Sequence, residues 1–205
     1  MARDPYVIEM DRMLAFADAV TAIAITLLAL EIHVPEGLPD AEVGQAFGHL
    51  LPKVLAYLVG FVLVGAIWLG HHKLFRLMAT LDRAMVRLEF ALLAVIAFLP
   101  FTARLMSEHG GAPVAMAVYT GAIGLEAALL AVMALRLRDP GPLRRPEVTR
   151  QQVAREVFDN ASIAAIATVA LLVALAAPLV AVWWWVLIWP ARGLPRYWPW
   201  LRARL

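Results

Sequence analysis

The strongest constraint on this chain is a series of apolar runs, each about as long as a bilayer is thick. A ~30 Å hydrocarbon core is crossed by about 20 apolar residues in a helix. The 205-residue sequence offers such runs at about 13–32, 50–70, 88–105 and 113–135. The stretch 158–189 is largely apolar and carries no charge except Asp159. It is too long for one crossing, and Pro178, which cannot continue a hydrogen-bond ladder, divides it into about 157–177 and 179–192. A single kinked, tilted helix is the competing reading there. The cluster Trp183, Trp184, Trp185 and Trp189 suits an interfacial belt.

Composition agrees with this reading. The chain is 62% hydrophobic and 17% charged, with a mean hydropathy of +0.75. A soluble domain is roughly 45–50% apolar and about 25% charged. The expected fold class is an all-α integral membrane protein with six transmembrane helices per subunit, one domain over residues 1–205. The remaining loops are too short for a soluble catalytic domain. The sequence also has no phosphate-binding glycine loop, nucleophile elbow or zinc-protease helix, so no enzyme is expected. With no cysteine, disulfides and thiolate chemistry are excluded. The first residues carry acids among the bases and no small-residue cleavage site, so they do not read as a secretory signal.

Basic residues give the orientation. Arg3 and Arg12 precede the first run. Lys73, Arg76, Arg83 and Arg87 lie between the second and third, in a segment read as a connector or an extension of its neighbours. Arg136, Arg138, Arg144, Arg145, Arg150 and Arg155 lie between the fourth and fifth, and Arg192, Arg196, Arg202 and Arg204 follow the sixth. Of 18 Lys and Arg, only Lys53 and Arg104 fall on the other side. The positive-inside rule then puts both termini in the cytoplasm, with the protein in the plasma membrane. Charge placed this way speaks for membrane topology and not for nucleic acid. The first outer loop is acidic, with Glu31, Glu36, Asp40 and Glu42.

A few polar groups inside the runs need explaining. Asp18 lies in the first run, where an ionised side chain costs about 2.5–3.5 kcal/mol on insertion scales. It needs protein or water around it, as part of an ion path or as a buried staple between helices. On a helical wheel Ile23, Leu27 and Leu30 cluster on one face, with Thr26 beside them and Asp18 pointing away. Such a stripe ordinarily meets lipid or neighbouring helices. Arg12 is about 240° from Asp18 and cannot pair with it along one face. His71 and His72 follow Trp68; adjacent histidines diverge by about 100° and suit a metal poorly, so no metal is expected. One of them is expected to hydrogen-bond a buried acid such as Asp18, the other to be solvated. Glu89 is expected to snorkel or to pair with connector arginines, Glu126 to need a partner or a proton, and Asp159 to cap a helix start. Ala56, Gly60, Gly65 and Gly70 are expected to give close helix contacts.

The segment Arg12-Met13-Leu14-Ala15-Phe16-Ala17-Asp18 resembles the R-x-x-x-F-S-D motif of the transmembrane protein 175 family, potassium channels of endosomes and lysosomes with single-repeat prokaryotic relatives. Trp68-Leu69-Gly70-His71-His72-Lys73-Leu74-Phe75 and Phe98-Leu99-Pro100-Phe101-Thr102 resemble the family as well. Ala17 stands where the family usually has Ser, and Leu-Pro-Phe-Thr is shorter than the usual Leu-Pro-Phe-Pro-Thr. The resemblance implies a homotetramer of six-span subunits whose first helices line the pore. It maps the narrowest hydrophobic constriction to Ile23, further pore positions to Leu27 and Leu30, and selectivity to Thr26. Arg12, Phe16, Ala17 and Asp18, with Trp68, His71 and His72, would set the angle of the first helix. Glu31 would sit at the outer mouth.

The implied function is a passive potassium channel of modest selectivity, since no carbonyl-lined filter is present. Four Ile23 side chains on an axis would exclude water and bar a hydrated cation. No cofactor is implied, only permeant K+, with lipid and further copies of the chain as partners. A proton-coupled secondary transporter using Asp18, Glu126 and the histidines is the alternative, and a non-conducting accessory protein a third.

Overall fold

The computed structural model describes residues 9–30 and 50–176, with single positions of the loop between them. Among these residues the chain forms five helices: α1 (Met10–Ala29), α2 (Leu51–Leu77), α3 (Arg83–His109), α4 (Pro113–Leu135) and α5 (Arg150–Ala176). Each of the first five apolar runs lies on one of them. α1, α3, α4 and residues 150–175 of α5 are long and apolar enough to cross a membrane. The proposed sixth span, Pro178 and the tryptophan cluster lie outside the described residues, as do Glu31 and the other acids of the first loop.

Local chemistry sets the helix ends. Pro113 opens α4, where its missing N–H costs nothing. Asp82 caps α3 by accepting from the Met85 N–H at 2.7 Å. α5 starts on a reciprocal capping box: the Gln152 N–H donates to Thr149 Oγ1 at 3.2 Å, and the Thr149 N–H donates to Gln152 Oε1 at 2.8 Å. Asp159 therefore caps nothing. It lies on an exposed face well inside α5, because the helix begins at Arg150 rather than near 157. α3 ends at the Gly110–Gly111 turn. A Cβ at Gly110 would meet the Met106 carbonyl oxygen at 2.8 Å, so only glycine closes the helix this way.

The helices run alternately up and down. Asp18 of α1 meets Trp68 of α2, Leu28 meets Gly60, and Phe16 meets Phe90 of α3. α1 is thus antiparallel to α2 and parallel to α3. α4 and α5 make the broadest contact. Small residues allow it: Ala127 and Ala131 of α4 and Ala167, Ala170 and Ala174 of α5 are buried. Gly124 completes this seam; a Cβ there would lie 3.0 Å from the Ala167 Cβ. In α2 the expectation of close glycine contacts holds for Gly60, against Leu28 at 3.3 Å. It fails for Gly65 and Gly70, which have nothing within 4 Å.

The connectors at one end of the bundle interlock. The segment after α2 forms an antiparallel bridge, Met78 to Arg144. Ala79 N–H donates to Leu143 O at 2.8 Å and Arg145 N–H to Leu77 O at 3.0 Å. Arg145 Nε donates to Met78 O, and Arg136 pairs with Asp82 at 2.6 Å. The basic residues of both connectors are thereby gathered at one end. Lys53, at the start of α2, and Arg104, paired with Glu108 near the end of α3, lie towards the other.

Gly124→Leu should force α4 and α5 apart and cost about 1–3 kcal/mol. It should read as a lower thermal midpoint of the purified protein in detergent. Gly65→Ala, which meets no neighbour, should leave that midpoint unchanged or slightly higher.

Candidate pore helix and its supports

α1 divides lengthwise into two faces. Met13, Ala17, Thr21, Ala24 and Leu28 are buried and recur every three or four residues. Thr21 satisfies its hydroxyl within the helix by donating to the Ala17 carbonyl at 2.8 Å. The opposite face carries Ile23, Leu27 and Leu30, which are 59%, 42% and 70% exposed on the single chain. Thr26 is exposed beside them, and its Oγ1 donates to the Ile23 carbonyl at 2.8 Å. That bond uses the hydroxyl proton and leaves the oxygen's lone pairs outward. The wheel placed these four residues together, and among the described residues no other helix covers them.

The buried side is held by side-chain bonds that cross between helices. Trp68 Nε1–H donates to Asp18 Oδ1 at 2.7 Å. A charge-assisted bond of this length is among the stronger ones available. Asp18 is half-buried, so the carboxylate is matched by an indole that is apolar everywhere except its N–H. The Phe16 and Phe90 rings meet at 5.9 Å, two residues earlier on α1. Within the motif, Ala17 is buried, whereas Arg12 is exposed and Phe16 lies largely on the outer surface. A serine at position 17 would bring a hydroxyl into this buried contact; alanine brings only a methyl.

The two histidines correct the sequence expectation in a specific way. His71 does bind a buried acid, but the acid is Glu89 of α3, not Asp18: His71 Nε2 lies 2.8 Å from Glu89 Oε1. With the carboxylate ionised, the imidazole N–H is the donor. Glu89 therefore neither snorkels nor reaches a connector arginine. Its side chain is 0% exposed, beneath α2. The His71 ring also packs on Phe75 at 4.4 Å. His72 is half-buried against Trp68 at 5.2 Å rather than solvated, and its Nδ1 has no protein partner among the described residues. Spacing could not find the His71–Glu89 pair, because it joins two helices. The usable signal was a histidine and an acid placed near the same end of two neighbouring helices. Glu126 is buried in α4, as are Thr120 and, in α3, Thr102. The described residues contain no group of three His, Cys, Asp or Glu able to hold a metal.

Trp68 carries a side-chain hydrogen bond from α2 to α1, so its loss should be felt on both. Trp68→Phe keeps the ring and removes the donor, which should cost about 1–3 kcal/mol. Thermal unfolding in detergent would read this, and Asp18→Asn in the Trp68→Phe background should then cost little more. Glu89→Ala should lower the thermal midpoint more than Glu89→Gln, whose amide can still bond His71.

Comparison with known proteins bears on these residues directly. Residues 12–100, which span the α1 motif and the His71–Glu89 pair, match the family model of the endosomal/lysosomal potassium channel TMEM175. The chain is 38% identical over 116 residues to a protein of Streptomyces collinus named as a potassium channel. It is 40% identical over 126 residues to one of Chamaesiphon minutus with the same description. These matches cover 55% and 59% of this chain and 56% and 62% of those relatives, so the chain spans less than two thirds of their length. The chicken protein matched over 103 residues at 33% identity, 50% of this chain and 21% of that one, is named an endosomal/lysosomal proton channel. The fold is similar to the crystal structure of a lysosomal potassium-selective channel TMEM175 homologue from Chamaesiphon minutus, with a TM-score of 0.77 and 27% identity, covering 91% of this chain and 97% of that one. Residues 12–100 thus match the TMEM175 family model, and the chain's fold is similar to that homologue's along nine-tenths of its length.

Proposed function

We propose that this protein is a subunit of a potassium-preferring cation channel whose pore is lined by α1. The observation that carries the reading is the outward face of α1. Three bulky aliphatic side chains and a threonine stand there uncovered by the described helices, opposite a face locked by Trp68 and Asp18. One helix per chain cannot enclose a path, and cyclic symmetry closes it. The bacterial relatives named as potassium channels and the potassium-selective homologue of the same fold supply the ion.

In this reading four subunits of six spans each meet around a four-fold axis. Ile23 forms the neck, and Leu27 and Leu30 continue the apolar wall. A ring of isoleucines dewets the passage and bars a hydrated cation until the helices rotate or spread. Thr26 presents its oxygen lone pairs to a partly dehydrated ion and biases the pore towards potassium. Selectivity is modest, because a ring of hydroxyls replaces much less of a hydration shell than a column of carbonyls. Asp18, with Arg12, Phe16 and Ala17 beside it and Trp68, His71 and His72 behind it, sets the angle of α1 and hence the bore. Glu31 and the acidic loop raise the local cation concentration at the outer mouth, an effect that salt screens. The basic end of the bundle faces the cytoplasm, with both termini, in the plasma membrane.

The test is the reversal potential of purified protein in planar bilayers with potassium and sodium on opposite sides. Wild type should give single-channel currents that reverse in favour of potassium. Ile23→Ala should raise open probability or conductance several-fold, and Thr26→Val should shift the reversal towards the unselective value. Silence in all three, with flux only under a pH gradient, would replace the channel by a proton-coupled transporter.

A further inference from the structure

We propose that an open groove between the first turns of α3 and the last turn of α4 binds an anionic phospholipid, its phosphate held between Arg87 and Arg136. The groove is lined by these two arginines together with Ala84, Leu88 and Val132. Both flanking helices are apolar enough to cross a membrane, so the groove's walls lie where acyl chains lie. Its arginines sit at the helix ends beside the interlocked basic connectors, where head groups lie. A phospholipid has the same division, apolar below and charged above. Basic pockets between spanning helices bind anionic head groups for this reason.

The hydrogen bonds leave the guanidinium groups available. Arg87 spends only Nε, on the Arg83 carbonyl at 3.2 Å. Its two terminal nitrogens make no bond among the described residues. Arg136 gives one terminal nitrogen to Asp82 at 2.6 Å. This acid bears on the proposed phosphate through its bond to Arg136. It is already engaged by Arg136 on one oxygen and by the Met85 N–H on the other, which limits its repulsion. The N-terminal end of α3 adds its positive dipole, and the carbonyls ending α4 oppose it. With Arg87 and Arg136 against Asp82, the local balance is positive. A planar guanidinium fork suits phosphate oxygens better than a point charge does.

Lipid, rather than a free phosphate ion, is favoured by the groove's floor. Leu88 is half-buried and Val132 is 43% exposed, and both would contact a chain that inorganic phosphate lacks. The site is separate from the outward face of α1 and requires only that the protein be embedded in a membrane. It stands or falls independently of the channel reading.

Native mass spectrometry of the purified full chain in detergent tests it. Phosphatidylglycerol and phosphatidylcholine with identical acyl chains are added in turn, and the lipid retained is counted. Wild type should retain several-fold more phosphatidylglycerol, and raising the ionic strength should narrow the difference. Arg87→Gln leaves the Asp82–Arg136 pair intact and should lower retention at least three-fold. The double variant Arg87→Gln with Arg136→Gln should abolish the preference. Lys53→Gln removes the same charge at the opposite end and should change nothing. Equal retention of the two lipids, an unaffected Arg87→Gln protein or an equal loss in Lys53→Gln would overturn the proposal. Displacement of the lipid by millimolar inorganic phosphate would also overturn it, since the apolar floor would then contribute nothing.

Discussion

The bond from the Trp68 indole to the Asp18 carboxylate is the interaction on which the arrangement of this protein turns. An acid in an apolar helix is costly unless a donor meets it, and among the described residues Trp68 supplies that donor from one direction around α1. Satisfying Asp18 fixes the rotation of α1 about its own axis. Met13, Ala17, Thr21, Ala24 and Leu28 then turn inward, and Ile23, Leu27 and Leu30 necessarily turn outward. An apolar wheel alone has no preferred rotation in a medium as apolar as itself. One polar contact decides which hydrophobic stripe is packed and which is left for whatever surrounds the chain.

A second polar layer supports the first. Trp68, His71 and His72 occupy one turn of α2; Trp68 reaches α1 while His71 reaches Glu89 of α3. The same short segment thus positions three helices, and the aromatic contacts of His72 on Trp68 and of His71 on Phe75 limit how the rings can move. At the nearby end of the bundle, the paired connectors and the Arg136–Asp82 bridge tie α2 and α3 to α4. The remainder of the fold is close packing of small residues, above all along α4 and α5. Its geometry is set by how near two backbones can come rather than by any bond.

Several local expectations failed, for two different reasons. Asp159 reads as a cap only if a helix starts where the apolar run starts, but the Thr149–Gln152 box begins α5 earlier, in polar sequence. Glu89 reads as a surface acid by its distance from the helix end, but α2 continues to Leu77 and covers it. Gly65 and Gly70 read as contact points, yet only Gly60 faces a neighbour. For Asp159 and Glu89, hydropathy located the membrane-crossing part of a helix, and the helix itself ran further; for the glycines, the rotation of α2 decided which one met a neighbour.

By itself the sequence determined the class of fold, the first five helices, the segregation of basic residues to one end and the grouping of Ile23, Thr26, Leu27 and Leu30 on one face of α1. All of these follow from period and composition along a single helix, which neighbours in the chain are enough to define. The partners were decided only by tertiary structure: Trp68 for Asp18, Glu89 for His71, Asp82 for Arg136, and Ala167 for Gly124. A contact between helices depends on their relative rotation and height, and many sequence-distant residues fix those jointly. No spacing within one helix encodes them.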